Sequence, residues 1–425
     1  MSPGREAPGV RISVLPNERA ASGVPLDLDG RIISFSYEDS EKKADLVSLQ
    51  LDNFDLALFE RGELIGGATL EVSWGYPGNM APPRRVVVRK LKGFQTLTVE
   101  GQATSVLLNR QTKTRVWENK RRSDIAREIA AEQGFEGEFL DTEDSGEVFE
   151  LINQVAETDA RFLRRLAARE EFEFFVDDRG FHFRSRNQAT PPTHVLTWYS
   201  DPGRGEILSV NVETDLVPRA GSVAVKGRDP LSKKTLESKA SSGTVDRATL
   251  GDVLEVVDSQ TGETNLQDRN ATSSIHPTAA SNAARAERES GARFRRAERE
   301  TIKLSMQTVG DPTLRAKAVL EIRGISSLLS GKYYVNEAKH AISGSGYVVD
   351  LRLTRDATGP RRQANADKQG KPQGGNRNRA AAASGGALAE IEVVDRQTGE
   401  TRVEYHRATG QIGAGDPESS TTGSR

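Results

Sequence analysis

The side chains in this sequence that could do chemistry stand far apart. The five histidines are His182, His194, His276, His340 and His406. None lies at metal-ligand spacing from another, so no zinc site is expected. His182 stands between Phe181 and Phe183, and strand alternation points it to the opposite face, into solvent; His340 gives no such indication. The absence of cysteine removes disulfides, thiolate zinc sites and cysteine nucleophiles together. The sequence has no G-x-S-x-G elbow and no phosphate-cradling glycine loop, and Gly344-Ser345-Gly346 needs only a turn. Glu132, Glu143, Asp144 and Glu157 are carboxylates that could pair as in a glycosidase. Such a pair acts only in a shaped cleft and at a defined separation. Asp27-Leu28-Asp29-Gly30 imitates the start of a calcium loop but lacks the later acidic ligand, so it reads as a turn. Catalytic, cofactor-binding and metal residues are therefore none, and no cofactor is expected.

The elements around these residues are clearest over residues 116–186. Ser123 is an N-cap candidate, Asp124 places negative charge in the first turn, Ile125 and Ile129 share a face, and Gly134 follows the last turn. A second helix beginning at Thr158 or Asp159 puts Phe162, Leu163, Leu166 and Ala167 on one stripe, with Arg161, Arg164, Arg165 and Arg169 outside it. Phe172, Phe174, Val176, Phe181 and Phe183 then form two alternating runs around Asp177-Asp178-Arg179-Gly180, a hairpin turn. Ile125, Ile129, Phe162, Leu163 and Leu166 are the expected core of this helix-helix-hairpin unit.

Its flanks read as β-structure. Before it, "VRISVLP", "GRIISFSYED", "ADLVSLQLDN", "ATLEVSWGYP", "RRVVVRKLKGF" and "QTLTVEGQA" alternate between Gly, Pro, Asn and Asp turns, the pattern of an antiparallel sandwich or barrel. Ile33, Phe35 and Tyr37 are expected on one face, as are Val47, Leu49 and Leu51. After it, "ATPPTHVLTWYSD" is a proline-broken connection, followed by "GEILSVNVETDLV", "GSVAVKGRDP" and "DVLEVVDSQTGET". Between the last two, residues 232–249 are expected as a polar loop. Residues 277–297 favour a helix packed on a sheet, with Pro277 in its first turn. Four more strands come from "ETIKLSMQTV", "AKAVLEIRGI", "GKYYVNEAKHAI" and "GYVVDLRLTRD". Residues 357–386 are cationic and of low complexity, expected as a flexible arm.

A net charge of −2 over 425 residues argues against a dedicated nucleic-acid binder, and the basic arm lacks interleaved aromatics to stack bases. No stretch of about eighteen apolar residues and no signal segment is present, so neither a membrane span nor a signal peptide is expected. One decapeptide recurs: residues 255–264 read "EVVDSQTGET" and residues 392–401 read "EVVDRQTGET", differing only at Ser259 and Arg396. Each copy ends an apolar strand in a Gly-containing turn, so each is expected to build a β-hairpin.

"SDIAREIAAEQGF" and "NQVAETDARFLRRLAAREEFEFFVDDRGFHF" resemble the central segment of the phage late control D and VgrG-like baseplate hub family, and "DLVSLQLDNFDLALFERGELIGGATLEVSWGY" resembles its first tube-like barrel. The resemblance implies an α+β, mainly β fold. Two tube-like antiparallel β-barrel domains, 10–115 and 191–356, would flank the insert 116–190. A disordered start, 1–9, would precede them, and the flexible arm 357–386 and a C-terminal hairpin and tail, 387–425, would follow. It also implies a homotrimeric structural hub of a contractile tail or injection system, joining a sixfold tail tube to a threefold spike. Partners would be the tube protein, a separate spike protein and other baseplate components, assembled in the bacterial cytoplasm and carried in the particle. Val393, Val394, Val403 and Tyr405 in the C-terminal hairpin are the candidate clasp for spike or neighbouring subunit. The competing readings are a peptidoglycan-cleaving tail enzyme and a tube-initiator or distal adaptor of a non-contractile tail.

Overall fold

The structure is a computed structural model that describes residues 7–16, 23–28, 30–61, 64, 67–103, 108–186, 188–198, 206–214, 220–228, 233–241, 250, 255–257, 264–266, 272–278, 283–299, 301–326, 329–356, 388–394 and 401–407. The fold is α+β and mainly β. The six early runs form strands Gly9–Leu15, Ile32–Ser40, Leu46–Asp52, Thr69–Tyr76, Arg84–Gly93 and Thr96–Ala103. Phe35, Tyr37, Val47, Leu49 and Leu51 are buried, as period-two alternation requires. Ile33 departs from its expected face. A register shift between Ile32 and Ser34 against the neighbouring strand turns it outward, leaving it 45% exposed.

The late block contributes Ile207–Thr214, Ile302–Val309, Val319–Arg323, Gly331–Ser343 and Gly346–Arg355. Two expectations fail nearby. Residues 235–241, expected within a polar loop, form strand Thr235–Ser241 paired to Ala220–Arg228, because alternate positions bury Ala240 beneath a helix. Pro277 ends strand Thr272–Pro277 and does not open the helix. That helix is Ala283–Glu298, named α3, and Ala286 and Phe294 pack it on Val223, Val225 and Ala240.

The two β blocks do not close as two separate barrels. Among the described residues most of their strands join one 14-stranded sheet whose order starts at Ile207–Thr214 and ends at Val24–Pro25, while Thr235–Ser241, Ala220–Arg228 and Thr272–Pro277 form a separate three-stranded sheet. The seam is Gly331–Ser343, which pairs with Val319–Arg323 near its start and with Ile32–Ser40 near its end, setting Ile342 opposite Phe35 and His340 opposite Tyr37. Trp74, stacked on Tyr37 with ring centroids 4.4 Å apart, lies in a core that also holds Val72, Leu304, Val349 and Leu351. Burying such side chains contributes roughly 1.5–3 kcal/mol each, so the shared core binds the blocks to each other as well as filling each one.

Candidate functional site

The insert builds its own core. Helix α1, Arg122–Glu132, and helix α2, Asp159–Glu170, pack beside the hairpin Phe172–Asp177 and Gly180–Ser185. Ile125, Ile129, Phe162, Leu163 and Leu166 are each 0% exposed and share this cluster with Trp117, Ile152, Phe174, Phe181 and Phe183. The cap of α1 differs from expectation. Arg121 is the N-cap, its N–H donating to Asp124 at 3.2 Å. Ser123 lies buried inside the first turn, where its backbone N–H donates to the Ser145 hydroxyl at 3.1 Å. The Thr158 hydroxyl caps α2 by accepting from the Arg161 N–H.

Sequence reasoning missed a two-stranded ribbon, Thr112–Arg121 with Val148–Thr158. Its inner face carries Trp117 opposite Ile152. A bulge between Gln154 and Glu157, with Ala156 at φ 47°, breaks the alternation that would have revealed it. A second missed feature is strand Leu140–Thr142, which lies parallel to the hairpin. Gly180, at φ +121°, lets the Phe139 carbonyl approach so closely that a Cβ would collide with it.

The four carboxylates named as a possible glycosidase-like pair each have their own partner. Glu132 pairs with Arg115 at 2.5 Å, Asp144 with Arg121 at 2.5 Å, and Glu157 with Arg165. Glu143 accepts from the Ser185 hydroxyl and N–H. Among the described residues no group of three or more acidic or histidine side chains forms a metal site, and no helix is long and apolar enough to cross a membrane.

His182 does not face solvent. Its Nδ1 lies 3.0 Å from Asp141 and its Nε2 2.9 Å from Asp177, and its ring stacks on Phe175 with centroids 4.4 Å apart. The hairpin is buried on both faces because its second face seats the insert on the sheet. Lys317 there lies 4.8 Å over the Phe175 ring and 2.5 Å from Asp39. Burial would raise the Asp39 carboxyl, but the Lys317 charge and hydrogen bond hold it below its ordinary range. Asp45, 3.9 Å from Lys317 and accepting from the Tyr37 hydroxyl at 2.7 Å, is pushed by burial up to about 6. Arg84 and Arg315 both pair with Asp178 at the hairpin turn. On the other side of the seat, Arg186 lies 3.2 Å from both Glu41 and Glu173 and 3.6 Å over the Tyr334 ring. Charges sequestered this way hold a geometry more than they add net stability, since desolvation offsets much of their attraction.

His340 is buried at the seam between the two blocks. Its Nδ1 lies 2.7 Å from the Tyr347 hydroxyl and its Nε2 3.0 Å from the Leu314 carbonyl oxygen. The neutral tautomer satisfies both, with Nε2–H donating and Nδ1 accepting. Burial lowers its pKa to about 4.

At the far end of the chain, strands Leu388–Val394 and Thr401–Arg407 pair antiparallel and carry Val393, Val394, Val403 and Tyr405. The two decapeptide copies have one register: Val257 faces Thr264 in the first hairpin and Val394 faces Thr401 in the second. The first hairpin's leading strand, Glu255–Val257, approaches Thr401–Arg407. Residues 1–6, 357–387 and 408–425 lie outside the described residues, and so do the expectations of a disordered start and flexible arm that fall on them.

The fold is similar to that of a tail protein from Neisseria meningitidis MC58, with a TM-score of 0.60 at 13% identity, covering 83% of this chain and 97% of that one. It is likewise similar to the 43 kDa tail protein of prophage MuSo2 from Shewanella oneidensis, with a TM-score of 0.59 at 12% identity, covering 82% and 99%. Prophage tail protein gp18 from Listeria monocytogenes EGD-e has a TM-score of 0.50 at 10% identity, covering 81% and 94%. No curated protein matches in sequence. The model of the phage tail baseplate hub family (GPD) matches residues 88–346, more than half of the chain, and the chain belongs to that family.

Proposed function

We propose that this chain is the central structural hub of a contractile tail or injection system. Three copies form a ring that joins a sixfold tail tube on one side to a threefold spike on the other. The observation that carries the reading is the seam between Ile32–Ser40 and Gly331–Ser343, which holds two antiparallel β blocks edge to edge over one core. Each block acts as a tube-like half, so three chains present six β faces to a sixfold tube although neither block closes alone. The insert, locked to the sheet through Asp39, Lys317, Asp178 and Arg186, fixes the angle of the outer surface. The C-terminal hairpin clasps the spike or a neighbouring subunit. Assembly takes place in the bacterial cytoplasm.

Light scattering coupled to size exclusion tests the ring. The full chain is expected at three times its 46.3 kDa mass. A monomer that persists at high concentration and in the presence of tube protein refutes the ring. Imaging of assembled particles carrying a tagged chain is expected to place it where tube meets spike, and a position elsewhere in the tail refutes the adaptor role.

A further inference from the structure

Between the insert and α3 runs a cleft of about 750 Å³ that plays no part in the reading above. Its floor is the outer face of the missed ribbon, with Phe149 and Leu151, and its walls are α2 and α3. Seven arginines line it against three glutamates, a surplus of four positive charges in a chain whose net charge is −2. Part of that charge is internally matched. Arg285 and Arg288 share Glu147, Arg122 pairs with Glu170, Arg165 pairs with Glu157 just outside the lining, and Arg293 lies 2.9 Å from Glu289. Arg169 and Arg288 are exposed on opposite walls, and the Arg296 guanidinium donates to the Ala168 carbonyl, which ties α3 to α2 at one end of the cleft. Leu151 is 54% exposed on the floor, and Ala168 and Ala292 leave the walls low beside it.

We propose that this cleft docks an acidic, aliphatic segment of a partner protein, with carboxylates meeting Arg169 and Arg288 and an aliphatic side chain covering Leu151. Charge complementarity identifies the occupant, because arginine forks recognise carboxylates bidentately and the volume suits a short peptide. A nucleic acid fits less well. Phe149, the one aromatic on the floor, already has Arg122 at 4.1 Å and Arg285 at 4.8 Å over its ring, so base stacking would have to displace them. The proposal does not depend on the trimeric ring.

Fluorescence anisotropy on the full chain tests it, using a labelled heptapeptide Glu-Leu-Glu-Val-Glu-Leu-Glu, its Lys-for-Glu counterpart and a short oligo-dT. The acidic peptide is expected to bind saturably and to weaken as salt is raised. Arg169→Glu combined with Arg288→Glu should weaken it about tenfold or more, and Leu151→Ser roughly threefold, in line with loss of interface anchors. Both variants replace exposed side chains and should melt within about 2 °C of the parent. No saturable binding, equal binding of the Lys peptide, tighter binding of oligo-dT, or insensitivity to both variants overturns the proposal. Self-association of the full chain that is lost in the arginine variants would assign the cleft to a second copy and overturn it as well.

Discussion

At the residue scale, His340 couples the seam to pH. Its folded value near 4 lies below the ordinary 6.5, so the native state favours the neutral ring. Its contribution is therefore present above pH 6.5 and is lost as pH falls through 4. A shift of this size corresponds to roughly 3 kcal/mol. Asp45 works in the opposite sense. Its folded value near 6 means that its contribution is full below its unfolded value, about 4, and is lost as pH rises through 6. The two partly cancel in the parent chain. His340→Asn removes only the first, so its unfolding free energy is expected to fall less than the parent's between pH 7 and pH 4.5, as read by urea denaturation. Parallel pH profiles would show that His340 does not titrate with folding. None of this was legible from His340 in the sequence, because its partners Tyr347 and Leu314 come from a neighbouring strand and a loop. The error at His182 has a related cause. Alternation placed it correctly on the face opposite Phe181 and Phe183, but period-two patterning says nothing about what covers the second face. Here that cover is Lys317 with the sheet behind it.

At the element scale, helices and single strands were legible because local chemistry determines them. The apolar stripe of α2, its Thr158 cap and the Asp177–Gly180 turn all lie within a few residues of the segments they shape. The ribbon of Thr112–Arg121 and Val148–Thr158 was not, since its bulge shifts the apolar phase midway and its outer face keeps Val116, Leu151 and Val155 exposed. Thr235–Ser241 was hidden for another reason, its buried positions being small or polar. The insert's stability is concentrated in α2. Leu166→Asp would leave an unpaired carboxylate among Phe162, Phe181 and Ile129, and the lost packing and desolvation together should cost roughly 4 kcal/mol or more. The variant is expected to be recovered insoluble, or as a species with lost near-UV circular dichroism and no trimer. A variant that melts like the parent would show that α2 is not a core element.

At the scale of the whole molecule, the order of β block, insert and β block could be read along the chain, but the way the blocks meet could not. Ile32–Ser40 and Gly331–Ser343 pair across about three hundred residues of intervening sequence, and both strands carry patterns that would serve equally well inside two separate barrels. Family resemblance supplied the barrels, and pairing at the seam replaced them with one open sheet. The C-terminal hairpin stands in a different relation to this scaffold. The described structure of the sheet ends at Asp356, and the hairpin begins again at Leu388. A covalently attached segment can bind a neighbour at raised effective concentration without contributing to the fold that carries it. Deleting residues 387–425 should then leave the melting temperature of the sheet and insert unchanged within about 2 °C, because a clasp acts on its neighbour and not on the scaffold that carries it. Association with a copurified spike protein, or the trimer mass itself, should fall by about tenfold or more if Val393, Val394, Val403 and Tyr405 form the clasp. Unchanged association in pull-down and light scattering would refute the clasp and assign docking to the β blocks. A lowered melting temperature would instead make the hairpin part of the scaffold, held there through its approach to the first copy of the repeat.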